Sequence, residues 1–371
     1  MQIINKNVKR NILLNPGPAT TSAAVKSALV VADICPRENE FGDLMGEIRK
    51  SLVSIVAGGD KYEAVLMTAS GTGGVEATLT SLIPEGKKVL IIDNGAYGKR
   101  MGEICEAYKI PHLVLRFPWG NPVDLETLED TIKKDSAFSH LAYIHHETTV
   151  GLLNDAKAIG QVAKKYGLIT ILDAMSSFAG LPINVIEDKI DFLISSSNKC
   201  IQGMAGLTFV IANKEELLKS KDFPKKNFYF NLYNNFKSQE FDNQSLFTPA
   251  VQVAYALKAA IDEFLKEGAE NRFKRYQQNY ETLKKGIKTL GLEFLVDEKH
   301  HAKLLTAIVE PSHPNYSFNN MHDYLYEKGI TIYPGKGGNK NAFRIAVIGE
   351  IDSKDIDLFL QELKNYLNSL L

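Results

Sequence analysis

Between residues 64 and 212, short apolar runs alternate with segments whose apolar positions recur at helical spacing. The runs 64–69, 88–93, 112–117, 140–145, 168–173, 191–196 and 207–212 are predicted as strands. Between them, 154–166 carries Ile159, Val162, Ala163 and Tyr166 on one helical face. Such alternation predicts an α/β fold whose large domain is a mostly parallel, seven-stranded sheet covered by helices. Upstream, Leu44, Ile48, Leu52, Ile55 and Val56 mark one face of a further helix, and after Pro249 a long helical stretch runs over 250–288, broken near Gly268. The tail changes character. Spaced strands are predicted at 291–296, 304–309, 330–333 and 343–347, with helices at 318–327 and 354–370, which together suggest a small α+β domain. The expected division is a large domain over 21–265, a small C-terminal domain over 266–371, and residues 1–20 joining the latter. The polar, aromatic, Asn-rich segment 221–244 is expected to be an ordered excursion rather than a linker.

Composition narrows the classes open to this chain. With 43 basic and 44 acidic residues, it lacks the basic excess needed to neutralise nucleic-acid phosphates or an acidic membrane. Three cysteines, Cys35, Cys105 and Cys200, with no CxxC pair, argue against a disulfide framework or a zinc site and suit a reducing compartment. No apolar run approaches the ~18 residues of a membrane span, so a cytoplasmic protein is expected, with no metal.

The candidate chemistry gathers at strand ends. Open α/β sheets bind ligands outside the carboxyl ends of their strands. Asp173 closes one near-continuous apolar run, and Lys199 follows another through Ser195-Ser196-Ser197-Asn198. A lysine in that position, partly desolvated, has a lowered pKa and acts as nucleophile and base. Ser70-Gly71-Thr72-Gly73-Gly74 lies between a strand and a helix start, where unpaired N–H groups suit a phosphate. It is neither a GxGxxG fingerprint nor a P-loop, so a dinucleotide or triphosphate is disfavoured. Tyr97, in Asn94-Gly95-Ala96-Tyr97-Gly98, can stack on a flat ring. In Glu147-Thr148-Thr149 the short hydroxyls can bond a ligand oxygen, although Thr-Thr before a helix is equally a capping pair. His145 and His146 are read as structural. Arg344 interrupts a strand suited to burial, and a buried arginine wants an anion such as a carboxylate or phosphonate.

On these strings the chain resembles the class V, fold-type I pyridoxal phosphate (PLP) aminotransferases over almost its whole length. The likeness is carried by Leu13-Leu14-Asn15-Pro16-Gly17-Pro18, Ser70-Gly71-Thr72, Asn94-Gly95-Ala96-Tyr97-Gly98, Glu147-Thr148-Thr149, Asp173-Ala174-Met175-Ser176-Ser177-Phe178 and Ser197-Asn198-Lys199-Cys200-Ile201-Gln202-Gly203. The resemblance implies that Lys199 binds PLP and that Asp173 pairs with its ring nitrogen, these two being the catalytic residues. It implies that Tyr97 covers the ring and that Ser70, Gly71, Thr72 and Asn198 hold the phosphate. Thr149 would lie near the phenolic oxygen, and Thr248 would reach across a homodimer interface to the partner's phosphate. Arg344, Gly17 and Pro18 would bind substrate, with a contribution from Arg37. The branch it resembles most moves an amino group from an aminophosphonate to pyruvate. The alternative within the family is alanine– or serine–glyoxylate exchange. Cysteine desulfuration is disfavoured because no cysteine follows Cys200.

Overall fold

A computed structural model describes residues 10–335 and 341–371. The first nine residues of the expected N-terminal segment lie outside it. Seven strands form the main sheet: β1 (Tyr62–Thr68), β2 (Lys88–Asp93), β3 (His112–Arg116), β4 (Phe138–Ile144), β5 (Ile169–Asp173), β6 (Phe192–Ser196) and β7 (Leu207–Asn213). Their spatial order is β1-β7-β6-β5-β4-β2-β3. Strands β6, β5, β4, β2 and β3 run parallel, and β7 alone is antiparallel to its neighbours β1 and β6. Because β7 reverses direction twice over, the carboxyl ends of β1 to β6 all emerge on one edge. That edge carries every strand-end motif picked out above.

The sheet is buried on both faces, each by its own apolar cluster. One cluster joins Phe41, Met45, Ile48 and Leu52 of the Asn39–Ile55 helix to Leu66, Leu141, Leu172 and Phe209. The other joins Val75, Leu79 and Leu82 of the Gly71–Leu82 helix to Val65, Ile91, Ile171 and Ile194. Helices on both faces explain why the strands are continuously apolar rather than alternating. The outer strand β1 exposes unpaired backbone groups, which would invite edge pairing. Gln239 closes that edge by accepting from Leu66 N at 3.0 Å and donating to Leu66 O at 2.7 Å, and Arg49 Nε donates to Ala64 O. Gln239 sits on the Leu232–Asp242 helix, so the 221–244 segment is an ordered cover for the sheet edge.

Past the helices Val251–Glu267 and Ala269–Thr289, which meet at Gly268 with φ +83°, a second sheet forms. Leu305–Val309, Ala342–Ala346 and Tyr333–Pro334 pair antiparallel. Two predicted strands differ. Over 291–296 the chain makes only an isolated bridge, Phe294 to Ile308, because Asp297 caps a short 3-10 turn and draws the backbone away after Leu295. The run 330–333 splits at Ile332: Ile330–Thr331 pairs in parallel with Ile12–Leu13, while Tyr333–Pro334 joins the C-terminal sheet. The N-terminal segment thus lies against C-terminal elements. It continues to the carboxyl edge of the main sheet, where Ala19 N donates to Asn198 O at 3.0 Å.

Candidate functional site

At the shared carboxyl edge lies a cavity of about 430 Å³, a volume suited to a small cofactor. Of the residues singled out from the sequence, Ser70, Gly71, Thr72, Tyr97, Asp173, Asn198 and Lys199 line it together. They arrive from four different strand ends, so the sheet, not local sequence, assembles them.

Ser70 is the N-cap of the Gly71–Leu82 helix, yet its side chain makes no capping bond and is left to the cavity. The first turn of a helix presents N–H groups without intrahelical partners and the positive end of the dipole. Gly71 is needed there by contact: a Cβ would lie 2.4 Å from Met175 Sδ. Asn198 Oδ1 is held by Ser196 Oγ at 2.9 Å.

Asp173 is 7% exposed, and one of its oxygens accepts from Met175 N at 2.8 Å. Burial pushes its carboxyl up to about 6, against the N–H of Met175 and the charges of Lys199 and Arg100. Burial lowers Lys199 to about 8, helped by the charge of Arg344 and opposed by Cys200 and Asp173. Lys199 Nζ donates to Pro16 O at 2.6 Å. A Cβ on Gly17 would fall 2.5 Å from that nitrogen, so the Pro16-Gly17-Pro18 turn packs directly on the lysine chain.

Tyr97 sits in the first turn of the Ala96–Ala107 helix, half-buried, with the Arg100 guanidinium 4.9 Å above its ring. Its N–H is held by Glu147, a fully buried carboxylate. Burial raises the Glu147 pKa, while donors from Thr149, Tyr97 and Gly98 pull it back. Arg344 is 5% exposed; Nε donates to Pro334 O at 2.9 Å and Nη1 to Thr148 O at 3.3 Å. Burial lowers its pKa and Tyr97, Glu147 and Tyr333 oppose that, so the guanidinium faces Tyr97 from the C-terminal sheet.

The Thr149 hydroxyl donates to Glu147 and accepts from Ala96 N at 3.3 Å, which ties the strand end together, and Thr149 is not among the residues lining the cavity. Its neighbour Thr148 keeps a buried hydroxyl with no partner. Thr248 is exposed and lies outside the cavity lining. Arg37 is spent on the carbonyls of Ser245 and Leu246 and the side chain of Gln244. The sequence reading missed His146, Met175, Ser176, Ser196 and Arg100, all of which line the cavity. Only the position of His146 just after an apolar run signalled it.

This assembly of an anion-receptive helix end, a buried carboxylate and a depressed lysine suits a phosphorylated, ring-bearing aldehyde. Ser70, on the cavity wall with a side chain that caps nothing, fits a cofactor with further polar atoms. The sequence matches the family model described as aminotransferase class-V over residues 23–349, and the chain belongs to that family. It is a PLP-dependent aminotransferase, acting on an amine donor and a 2-oxo acid acceptor. The 2-aminoethylphosphonate–pyruvate transaminase of Vibrio vulnificus (strain CMCP6) is 41% identical, across 93% of this chain and 95% of its own. A bifunctional phosphonoacetaldehyde hydrolase/aminoethylphosphonate transaminase of Clostridioides difficile (strain 630) is 39% identical over 96% of this chain, which spans 56% of that longer protein. Among solved structures, alanine–glyoxylate aminotransferase from Nostoc sp. superposes with a TM-score of 0.90 at 24% identity, covering 99% of this chain and 98% of its own, and shows the shared fold.

Proposed function

We propose that this protein transfers the amino group of 2-aminoethylphosphonate to pyruvate, giving phosphonoacetaldehyde and alanine. Likeness over nearly the whole chain to transaminases so named in several organisms supports the donor and acceptor. The observation that carries the reading is Arg344. It is buried beside the cavity, donates to the carbonyls of Pro334 and Thr148, and pairs with no carboxylate among the described residues. The donor lacks an α-carboxylate, so its phosphonate must supply the anionic handle, and the planar guanidinium fork suits it.

PLP, when bound, supplies an aldehyde to receive the amino group and an electron-withdrawing ring to spread the charge left on the substrate carbon. The protein's part is positional and electrostatic. Ser70, Gly71, Thr72 and Asn198 would hold the phosphate, and Asp173, ionised above about pH 6, would keep the ring nitrogen protonated. Tyr97 would cover the ring, and Thr149, at the strand end beside it, would lie near the phenolic oxygen. Lys199 would anchor the cofactor and, once displaced by substrate, take and return a proton at Nζ, a role matched by its pKa of about 8. Gly17 and Pro18 would wall the lysine against solvent.

The same reading makes the protein a homodimer in which Thr248 reaches the partner's phosphate site. Its surroundings support an interface: Phe228 and Phe241 are 82% and 84% exposed, and Phe247 stacks on Tyr229 at 4.7 Å. Among the described residues no helix is long and apolar enough to cross a membrane. A donor screen with pyruvate as acceptor tests the proposal. Turnover should be strongest with 2-aminoethylphosphonate; turnover of alanine or serine with glyoxylate, and none of the phosphonate, would sink it.

A further inference from the structure

The roles above leave His146 unused. It lies two residues past the end of β4, is 3% exposed, and lines the cavity with Lys199 and Asp173. Its Nδ1 lies 3.4 Å from the Ser176 carbonyl oxygen. A carbonyl only accepts, so this contact puts the ring proton on Nδ1 and leaves Nε2 as a bare lone pair. That nitrogen is buried and has no partner. Burial keeps the imidazole neutral, opposed by the Ser176 carbonyl and helped by the charge of Lys199.

The two neighbouring imidazoles are turned to other surroundings. His145 meets Ser177 Oγ at 2.9 Å and faces a different cavity, beside Asp155 and Lys299. His301 meets the Tyr280 hydroxyl at 2.7 Å and Val296 O at 2.8 Å. Of the three, only His146 lines the cavity that holds the lysine amine, and its buried Nε2 has no partner.

We infer that His146 is a ligand-contacting residue whose Nε2 accepts a hydrogen bond from a primary amine in the cavity. The inference rests on the aminotransferase reading of the site and adds to it. A buried acceptor left bare is unfavourable, and an N–H donor removes that cost. Phosphonate and carboxylate oxygens also carry lone pairs and are turned away from it. The substrate therefore enters polarised, its anionic end toward Arg344 and its amine toward His146. Two amines meet the requirement: that of Lys199 when it leaves Pro16 O, and that of the donor substrate.

The experiment uses the full-length enzyme with His146→Leu, which removes the acceptor, and His146→Gln, whose amide oxygen restores one at similar reach. Should His146→Leu fail to fold, His146→Asn, too short to reach the same point, replaces it. Two quantities are read: the pH midpoint of PLP uptake by the cofactor-free form, which reports the Lys199 amine, and KM of the loaded enzyme for donor and for pyruvate. If Lys199 is the partner, the midpoint moves by about one pH unit, as for loss of one hydrogen bond to a charged group. If the substrate amine is the partner, donor KM rises about tenfold with pyruvate KM unchanged. Either result, with recovery in His146→Gln, supports the inference. A wild-type midpoint and donor KM in His146→Leu, or a His146→Gln as defective as His146→Leu, overturns it. A parent protein that takes up no PLP would instead overturn the aminotransferase reading beneath it.

Discussion

Glu147 holds Tyr97 in place: its Oε2 accepts the Tyr97 backbone N–H at 3.0 Å, while Oε1 accepts the N–H of Thr149 at 3.1 Å and its hydroxyl. The strand end after β4 and the helix start after β2 are thereby one unit. Gly95 makes room for it, since a Cβ there would lie 2.2 Å from Glu147 Cγ. Removing the carboxylate strands several buried donors. Glu147→Ala should lose about 2–3 kcal/mol in denaturant unfolding, and Gly95→Ala should weaken cofactor retention in the same way by pushing the carboxylate aside. Loss below ~0.5 kcal/mol in Glu147→Ala, the range of an ordinary surface change, would contradict this account.

The lysine sets a pH profile. Only the neutral amine attacks an aldehyde, and the Lys199 pKa is lowered to about 8. The rate of PLP uptake by cofactor-free enzyme should therefore rise with pH and level off above about 8. Arg344 contributes to that depression, so Arg344→Ala should move the profile toward higher pH. A flat profile between pH 6 and 9 is the contrary result.

Substrate affinity and cofactor binding should separate at Arg344. Arg344→Ala removes the anion site and leaves in place every residue that lines the cofactor cavity, Arg344 not being one of them. Donor KM should rise by about a hundredfold, as expected when a charged hydrogen-bonded contact worth about 2–3 kcal/mol is lost. The visible spectrum of the loaded enzyme should stay close to that of the parent. Unchanged KM for the phosphonate would remove Arg344 from the substrate site.

Asp173 trades stability for function. Its carboxyl is raised to about 6 in the folded, cofactor-free protein, above its value of 3.8 in the open chain. Below about pH 4 it is protonated in both states and has no effect; above about 6 the folded state bears an ionised, desolvated group. Cofactor-free Asp173→Asn should thus be more stable than the parent at pH 8, by roughly 2–3 kcal/mol, and equal to it near pH 3.5. Thermal unfolding at the two pH values checks this; a less stable Asn variant at pH 8 would show that the carboxylate is satisfied before the cofactor arrives.

Much of this was legible along the chain, for a physical reason. Parallel strands covered on both faces are apolar throughout, so the polar residue that ends each one stands out, as Asp173, Ser70 and Lys199 do. Contacts between strand ends were not legible. Nothing in the spacing of Glu147 shows that it caps the helix bearing Tyr97, fifty positions earlier. The adjacent Thr148 and Thr149 have identical side chains, and only the Glu147 contact decides which hydroxyl is spent. His146 was passed over because a histidine pair at a strand end looks structural until each ring's partners are known. The interruption at 291–296 had the composition of a strand, and the turn capped by Asp297 overrode it.

The central claim is that Lys199 carries the cofactor. The direct measurement is to load the protein with PLP, reduce it with borohydride, and map the modified peptide by mass spectrometry. The account predicts a visible absorption band that reduction abolishes and a single pyridoxyl adduct on Lys199. A colourless protein, or an adduct on any other lysine, would contradict it.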